Sequence, residues 1–297
     1  MSTPHIASAP TSAADALDHT PNHDLGLAAD VRTLMARRGL LRLAGGLGLV
    51  AVAGCAAETS TGGATSASGS ASSSASSPAA TGTDSTDATG TVVPDETGGP
   101  YPGDGSNGVN VLDDSGIVRS DIRSSVGTSS TVAQGVPLTI NLTVTDSSQG
   151  YAGLAGAAVY VWHCDRDGNY SMYSQGVEQE NYLRGVQETD AEGSVSFTSI
   201  FPACYAGRWP HIHFEVYSSV EDATSSGPII KTSQIALPEA VCATVFAEEG
   251  YDRSVQNLTQ VSLTSDNVFG DDGGIHQLAT VTGSVAKGYT ANLTVGV

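Results

Sequence analysis

The chain has 297 residues, with 12 Lys and Arg against 31 Asp and Glu and a formal net charge of −19. So acidic a protein lacks the basic footprint of a nucleic-acid binder, and that class of partner is excluded. The length suits one large domain or two small ones.

The first 55 residues read as an address segment. Arg37-Arg38-Gly39-Leu40-Leu41-Arg42 resembles a twin-arginine export signal. The apolar run 43–53 that follows is too short to span a bilayer as a mature helix. Val52-Ala53-Gly54-Cys55 resembles a bacterial lipobox, which implies cleavage before Cys55 and a lipid on its thiol. The competing reading is an ordinary amphipathic helix. Residues 56–93 are almost entirely Ala, Ser, Thr and Gly, with no Lys or Arg. They offer too little apolar surface to offset the entropy of ordering, and a disordered linker is expected there. A single folded domain is expected over 94–297.

Residues 95–102 are rich in Gly and Pro and predict a shaped loop. A short extended segment is expected at 117–122. Strands are predicted at 136–144, where Leu138, Ile140, Leu142 and Val144 share a face, and at 157–164, 193–200, 211–217, 229–237, 276–281 and 289–295. Turns are predicted at 165–169 and 189–193. The one helix expected is 238–246. Many short strands separated by Gly and Pro turns indicate an all-β antiparallel sandwich. Beyond Cys55 the cysteines are Cys164, Cys204 and Cys242. An exported compartment permits disulfides. Three thiols allow one bridge in three pairings, which the sequence leaves open; Cys204–Cys242 is favoured, with Cys164 free.

On a strand, residues i and i+2 share a face, roughly 6–7 Å apart. His211 and His213 are so placed, with Ile212 pointing away, so the two imidazoles can converge on one metal. Tyr205 and Arg208 lie just upstream. Elsewhere the chain reads Glu96-x-x-Gly99-Pro100-Tyr101, Arg119-x-Asp121-Ile122, Val161-Trp162-x-x-Asp165-x-x-Gly168-x-Tyr170, Arg184-Gly185-x-Gln187-x-Thr189-Asp190-x-x-Gly193-x-Val195-x-Phe197, and Pro202-x-x-Tyr205-x-x-Arg208-x-x-His211-Ile212-His213-Phe214.

These five pieces, in this order, resemble the intradiol ring-cleavage dioxygenases, the family of the protocatechuate and catechol dioxygenases, over about residues 94–297. A secreted, single-chain branch is the nearest match. The resemblance implies non-haem Fe(III) held by Tyr170, Tyr205, His211 and His213. A hard trivalent ion favours phenolate oxygen and accepts imidazole. The resemblance also implies a catechol that chelates the metal through both oxygens and displaces Tyr205, with Tyr205 or the displaced hydroxide taking a substrate proton. Both atoms of O2 then enter between the hydroxylated carbons to give a cis,cis-muconate. Arg208 matches an arginine that stabilises carbanionic character in the ring, and Gln234 and Tyr101 match pocket positions. A homodimer or larger assembly is implied as well.

One departure stands out. His211 follows Tyr205 by only six residues, whereas the family's well-studied members have a longer, pocket-building loop. A more open site and a bulkier catechol, plant- or lignin-derived, follow from that. Other readings compete. A lipid-tethered sandwich of this fold suits a binding module for sugar, peptide or ferric iron. Glu215 shares the histidines' face and would complete a two-His-one-carboxylate ferrous site. Tyr205 has a competing reading as a corner tyrosine bonded to backbone, Trp162 and Phe214 read as core rather than substrate stackers, and His163 and His276 read as surface residues or as supports behind the site.

Overall fold

The computed structural model describes residues 90–297. The proposed export signal, the lipobox at Cys55 and the linker up to residue 89 lie outside the described residues. The described residues include a short stretch ahead of residue 94 that joins the fold. Val92 pairs with Gly296 in a parallel bridge, and Val93 is buried with its N–H donating to the Gly296 carbonyl at 3.0 Å. These are the first adjacent β-branched apolar residues after the Ala/Ser run, and the sheet takes them up. Among the described residues no helix is long and apolar enough to cross a membrane.

The strands are β1 (Pro137–Asp146), β2 (Ala152–Gly153), β3 (Ala158–Trp162), β4 (Arg184–Glu188), β5 (Ser194–Ile200), β6 (His211–Tyr217), β7 (Ile229–Ala236), β8 (Thr280–Ser284) and β9 (Gly288–Gly296). Short helices are α1 (Val220–Thr224), α2 (Glu239–Val245) and α3 (Asp252–Leu258). One sheet runs β2-β1-β9-β8 with β5 also paired to β1; the other runs β4-β3-β6-β7. The all-β sandwich is as expected, but the pairing is not wholly antiparallel. β1 and β9 run parallel, with Leu138 opposite Tyr289 and Val144 opposite Val295. A period-2 pattern is the same for either strand direction, so nothing in it distinguishes them. The segment 117–122 makes only single bridges, Val118 to Val186 and Asp121 to Thr198. Residues 276–277 are a turn, and Leu278 makes only a single parallel bridge to Ala236 ahead of β8.

Between the sheets lies one apolar core. Ile140, Leu142 and Val144 of β1, Phe197 of β5 and Val295 of β9 meet Val159 and Val161 of β3, Ile212, Phe214 and Val216 of β6 and Ile235 of β7. The second sheet is covered on its other face too. All seven residues of β6 are buried: the even-numbered ones face the core, and His211, His213, Glu215 and Tyr217 lie under loops. A second cluster, including Tyr101, Leu112, Tyr160, Trp162 and Tyr170, fills that outer side. The outer face of the second sheet is therefore an interior polar surface, and the candidate site is built on it.

The favoured Cys204–Cys242 bridge does not form. Cys164, Cys204 and Cys242 are all free and buried. The Cys204 thiol points to the Arg208 carbonyl, at 3.5 Å, and the Cys164 thiol to the Ala203 carbonyl, at 3.7 Å. Burial pushes the Cys204 thiol up to about 12, so it is neither a thiolate nor reactive. Reductant is expected to leave the melting temperature unchanged, and a thiol reagent to titrate these three cysteines only after denaturation. A reductant-sensitive melting temperature would contradict this arrangement.

Candidate metal centre

The register of the second sheet sets one row of side chains on its outer face. Arg184 of β4 lies opposite Trp162 of β3, Trp162 opposite His213 of β6, and His213 opposite Gln234 of β7. The Trp162 ring stacks on His213 with centroids 4.9 Å apart and planes 6° apart. Tyr160 in turn stacks on Trp162, with ring centroids 4.9 Å apart and planes 21° apart. The His213 ring is thus fixed by a flat aromatic wall.

His211, two residues before, is fixed differently. Its Nδ1–H donates to the Trp209 carbonyl at 2.5 Å, and a carbonyl can only accept, so Nε2 carries the lone pair. Four groups converge on that lone pair. His213 Nε2 lies 3.1 Å away, Tyr205 Oη 3.2 Å, Arg208 Nη1 3.4 Å and Tyr170 Oη 3.5 Å. The sequence pairs His211 with His213 by strand spacing; the fold brings both tyrosines to the same point. Tyr170 comes from the 165–183 loop, fully buried, and Tyr205 from the turn before β6, half-buried. Their rings meet edge to face at 5.9 Å. Tyr205 Oη thus faces the histidine pair.

Burial, then the Arg208 charge, holds His211 well below the usual imidazole range; burial and then His211 do the same for His213. Burial, reinforced by Tyr205, holds Tyr170 well above the usual phenol range. Without a cation these are neutral donors in a dry setting. His213 Nδ1 is buried and without a hydrogen-bond partner. An orphaned buried nitrogen costs about 1–3 kcal/mol, and such a group in a native fold calls for an explanation. Aiming Nε2 at a metal leaves the proton on Nδ1 and does not supply one, so the fit to a metal rests on the four donors that converge here. A trivalent ion would displace the phenol protons and accept the imidazole lone pairs, so the donor set fits Fe(III).

Arg208 is fully buried. Its Nε donates to Asp266 Oδ2 at 3.0 Å and its Nη2 to Gln234 Oε1 at 2.6 Å. Gln234 in turn donates to the Thr97 carbonyl at 2.8 Å, so its amide is engaged at both ends. The Tyr101 ring lies 4.9 Å from Tyr170 and 5.2 Å from Tyr173, forming a side wall of the cluster. A cavity of about 340 Å³ opens beside Tyr205, lined by Gly168, Ala206, Arg253 and Asn257 among others.

Glu215 does not join the histidines. It accepts from Tyr217 Oη at 2.7 Å and from Thr232 Oγ1 at 3.4 Å. Among the described residues no group of three His, Cys, Asp or Glu is placed to hold a metal, which removes the ferrous carboxylate reading. His163 is buried rather than on the surface, tied through Nδ1 to the Cys164 carbonyl and through Nε2 to Ser199 Oγ, each at 2.7 Å. Trp162 and Phe214 are core, as expected. Sequence reasoning missed Asp266. A short acidic residue ahead of a helical turn was its only local signal; it accepts from the N–H groups of Val268 and Phe269 in the manner of an N-cap.

A pH prediction follows from the three buried histidines. Burial lowers His163 to about 4, and His211 and His213 lie well below their usual value. Each folded value is below the unfolded one near 6.5, so the unfolded chain binds more protons in acid. Stability of the metal-free domain is full above pH ~6.5 and falls as pH drops toward 4, by about 1.4 kcal/mol per pH unit for each histidine. Urea melts from pH 7 to pH 4.5 are expected to show that slope, and His163→Gln to remove one histidine's share of it. A slope that is unchanged in His163→Gln would exclude a neutral buried His163.

Residues 122–221 match a protein-family profile described as Dioxygenase. Over 52 residues the chain is 40% identical to a chlorocatechol 1,2-dioxygenase of Rhodococcus opacus, covering 18% of this chain and 20% of that protein. It is 43% identical over 53 residues to catechol 1,2-dioxygenase 2 of Acinetobacter lwoffii, covering 18% and 19%. The match thus spans about a fifth of the length of these relatives. An intradiol ring-cleavage dioxygenase of Tetranychus urticae superposes with a TM-score of 0.53 at 23% identity, over 69% of this chain and 94% of that one. The chain carries the intradiol ring-cleavage dioxygenase fold. The profile match runs from the end of the 117–122 segment to the start of α1 and contains Tyr170, Tyr205, His211 and His213. Gln234, Asp266 and the strands β7 to β9 lie outside it.

Proposed function

We propose that this protein is a non-haem Fe(III) intradiol dioxygenase, cleaving a catechol-type ring between its two hydroxylated carbons with O2 to give a cis,cis-muconate. The observation that carries the reading is the meeting of Tyr170, Tyr205, His211 and His213 at one buried point. Bound there, ferric iron would supply a chelation site for both catechol oxygens and alter the electronics of the ring. The chain's own residues do the rest. His211 and His213 present fixed lone pairs, one oriented by a carbonyl and the other by a stacked indole. Tyr205, the less buried tyrosine, is the one placed to leave and to take a substrate proton at Oη. Arg208 holds a fixed positive charge 3.4 Å from His211 Nε2, where it stabilises negative charge developing on the ring. Tyr101 bounds the side toward Tyr170.

The substrate class we favour is a bulkier, plant- or lignin-derived catechol. Its motivation is the short Tyr205–His211 connection. We also propose export by the twin-arginine route, a lipid anchor on Cys55, and a homodimer. Labelled palmitate on the full-length chain but not on Cys55→Ala tests the anchor, and light scattering tests the dimer.

The deciding experiment is a visible spectrum of iron-loaded protein before and after anaerobic catechol, followed by oxygen uptake across a catechol panel. A tyrosinate-to-iron band that shifts on catechol binding, with oxygen consumed, is expected. A coloured protein that consumes no oxygen with any catechol would leave the binding-module reading in its place.

A further inference from the structure

We infer that Asp266 is the positioning residue for Arg208, and through it sets where positive charge stands beside the tyrosine and histidine donors. What Arg208 does there rests on the dioxygenase reading; how it is held does not.

The guanidinium is a rigid planar fork, so fixing two of its corners fixes the third. Nε is taken by Asp266 Oδ2 at 3.0 Å. Nη2 is taken by Gln234 Oε1 at 2.6 Å, with Asp266 Oδ1 at 3.5 Å. Nη1 is thereby aimed at His211 Nε2. Both members of the Arg208–Asp266 pair are fully buried, where an ion pair keeps its geometry and a lone charge is strongly unfavourable.

Asp266 is itself immobilised. Its Oδ2 also accepts from the Trp209 N–H at 2.7 Å, and its Oδ1 from the N–H groups of Val268 and Phe269 at 2.8 and 3.1 Å. Trp209 is the residue whose carbonyl orients His211. One carboxylate thus holds the arginine and, two residues from a metal donor, the backbone that fixes the imidazole. An asparagine cannot replace it. One Asn oxygen can serve the Val268 and Phe269 amides, but its NH2 then faces the Arg208 and Trp209 donors.

The test compares Asp266→Asn, Arg208→Met and the double variant, each iron-loaded. In folded Asp266→Asn, kcat is expected to fall ~10–100-fold while KM stays within about threefold, the signature of an interaction made in the transition state. The thermal cycle is expected to be non-additive, with the double variant melting above Asp266→Asn, because removing both charges leaves none stranded. A folded Asp266→Asn enzyme with kcat within about twofold of the parent, or additive melting shifts, overturns the inference. If the parent consumes no oxygen, the dioxygenase reading fails by itself, and the melting cycle still decides whether Asp266 holds Arg208.

Discussion

Replacing His211 by alanine is expected to remove ferric iron and oxygen uptake together. Every other donor of the cluster is measured from His211 Nε2, at 3.1 to 3.5 Å, so its loss opens the centre of the site and not its rim. Loss even of an outer partner of a metal ligand typically costs ~10–100-fold in affinity or activity. A direct donor is expected to exceed that, with iron per chain falling below what elemental analysis detects after desalting. Tyr170→Phe should keep more iron than His211→Ala but lose most of the visible colour, since the buried phenolate would be gone. Stoichiometric iron in purified His211→Ala would place the metal elsewhere.

The second large effect is on stability, at Arg184. This side chain is 1% exposed and ties two loops to the sheet. It donates to the carbonyls of Tyr101 and Pro102 at 3.0 and 2.8 Å, to the Ser171 hydroxyl and carbonyl at 3.1 and 3.0 Å, and to Tyr160 Oη at 3.1 Å. These partners flank Tyr101 and Tyr170. Arg184→Met would strand several buried acceptors at once, each unmet group costing about 1–3 kcal/mol. A total of at least ~4 kcal/mol is expected, a fall in melting temperature of roughly 8–16 °C for a domain of this size. Arg184→Lys should recover only part of it, because an ammonium lacks the planar fork. Gly103→Ala tests the same junction from the other side. A Cβ there would meet Arg184 Nη1 at 2.9 Å, with φ at +67°, so the loop must shift and destabilisation is expected. A scanning calorimeter reads all three; an Arg184→Met protein melting within about 2 °C of the parent would show that the loops are held by something else.

The parts legible in the sequence are those that obey a local period. Leu138, Ile140, Leu142 and Val144 announce β1 because one of its faces is buried against the second sheet. His211 and His213 announce themselves because strand spacing alone puts them on one face. β4 was not legible as a strand: Arg-Gly-Val-Gln-Glu has no apolar alternation, since its buried arginine serves loops and its glycine leaves room for Ile122, 2.5 Å from where a Cβ would stand. α3 was missed for a related reason, as its sole buried residue is Ser254, which accepts the Cys204 N–H instead of presenting an apolar stripe. The tyrosines were identifiable only through the order of motifs, because Tyr170 and Tyr205 reach His211 from separate loops. Asp266 acts on a residue 58 positions away, and no local pattern records such a pairing.

The parallel ladder between β1 and β9 bears on how the molecule comes into being. It joins residues 138–145 to residues 289–296, and Val92 closes onto the same final strand. On the ribosome, β1 is made long before its parallel neighbour. β5 can cover one edge as soon as residue 200 emerges, while the other edge, flanking apolar Ile140 and Leu142, stays unpaired until residues 289–296 have been translated. Long-range strand pairing of this kind is slow and leaves an adhesive edge open meanwhile. Until β9 is made, that open edge of β1 invites pairing with other chains, so aggregation on expression is expected to rise with the time between synthesis of β5 and synthesis of β9.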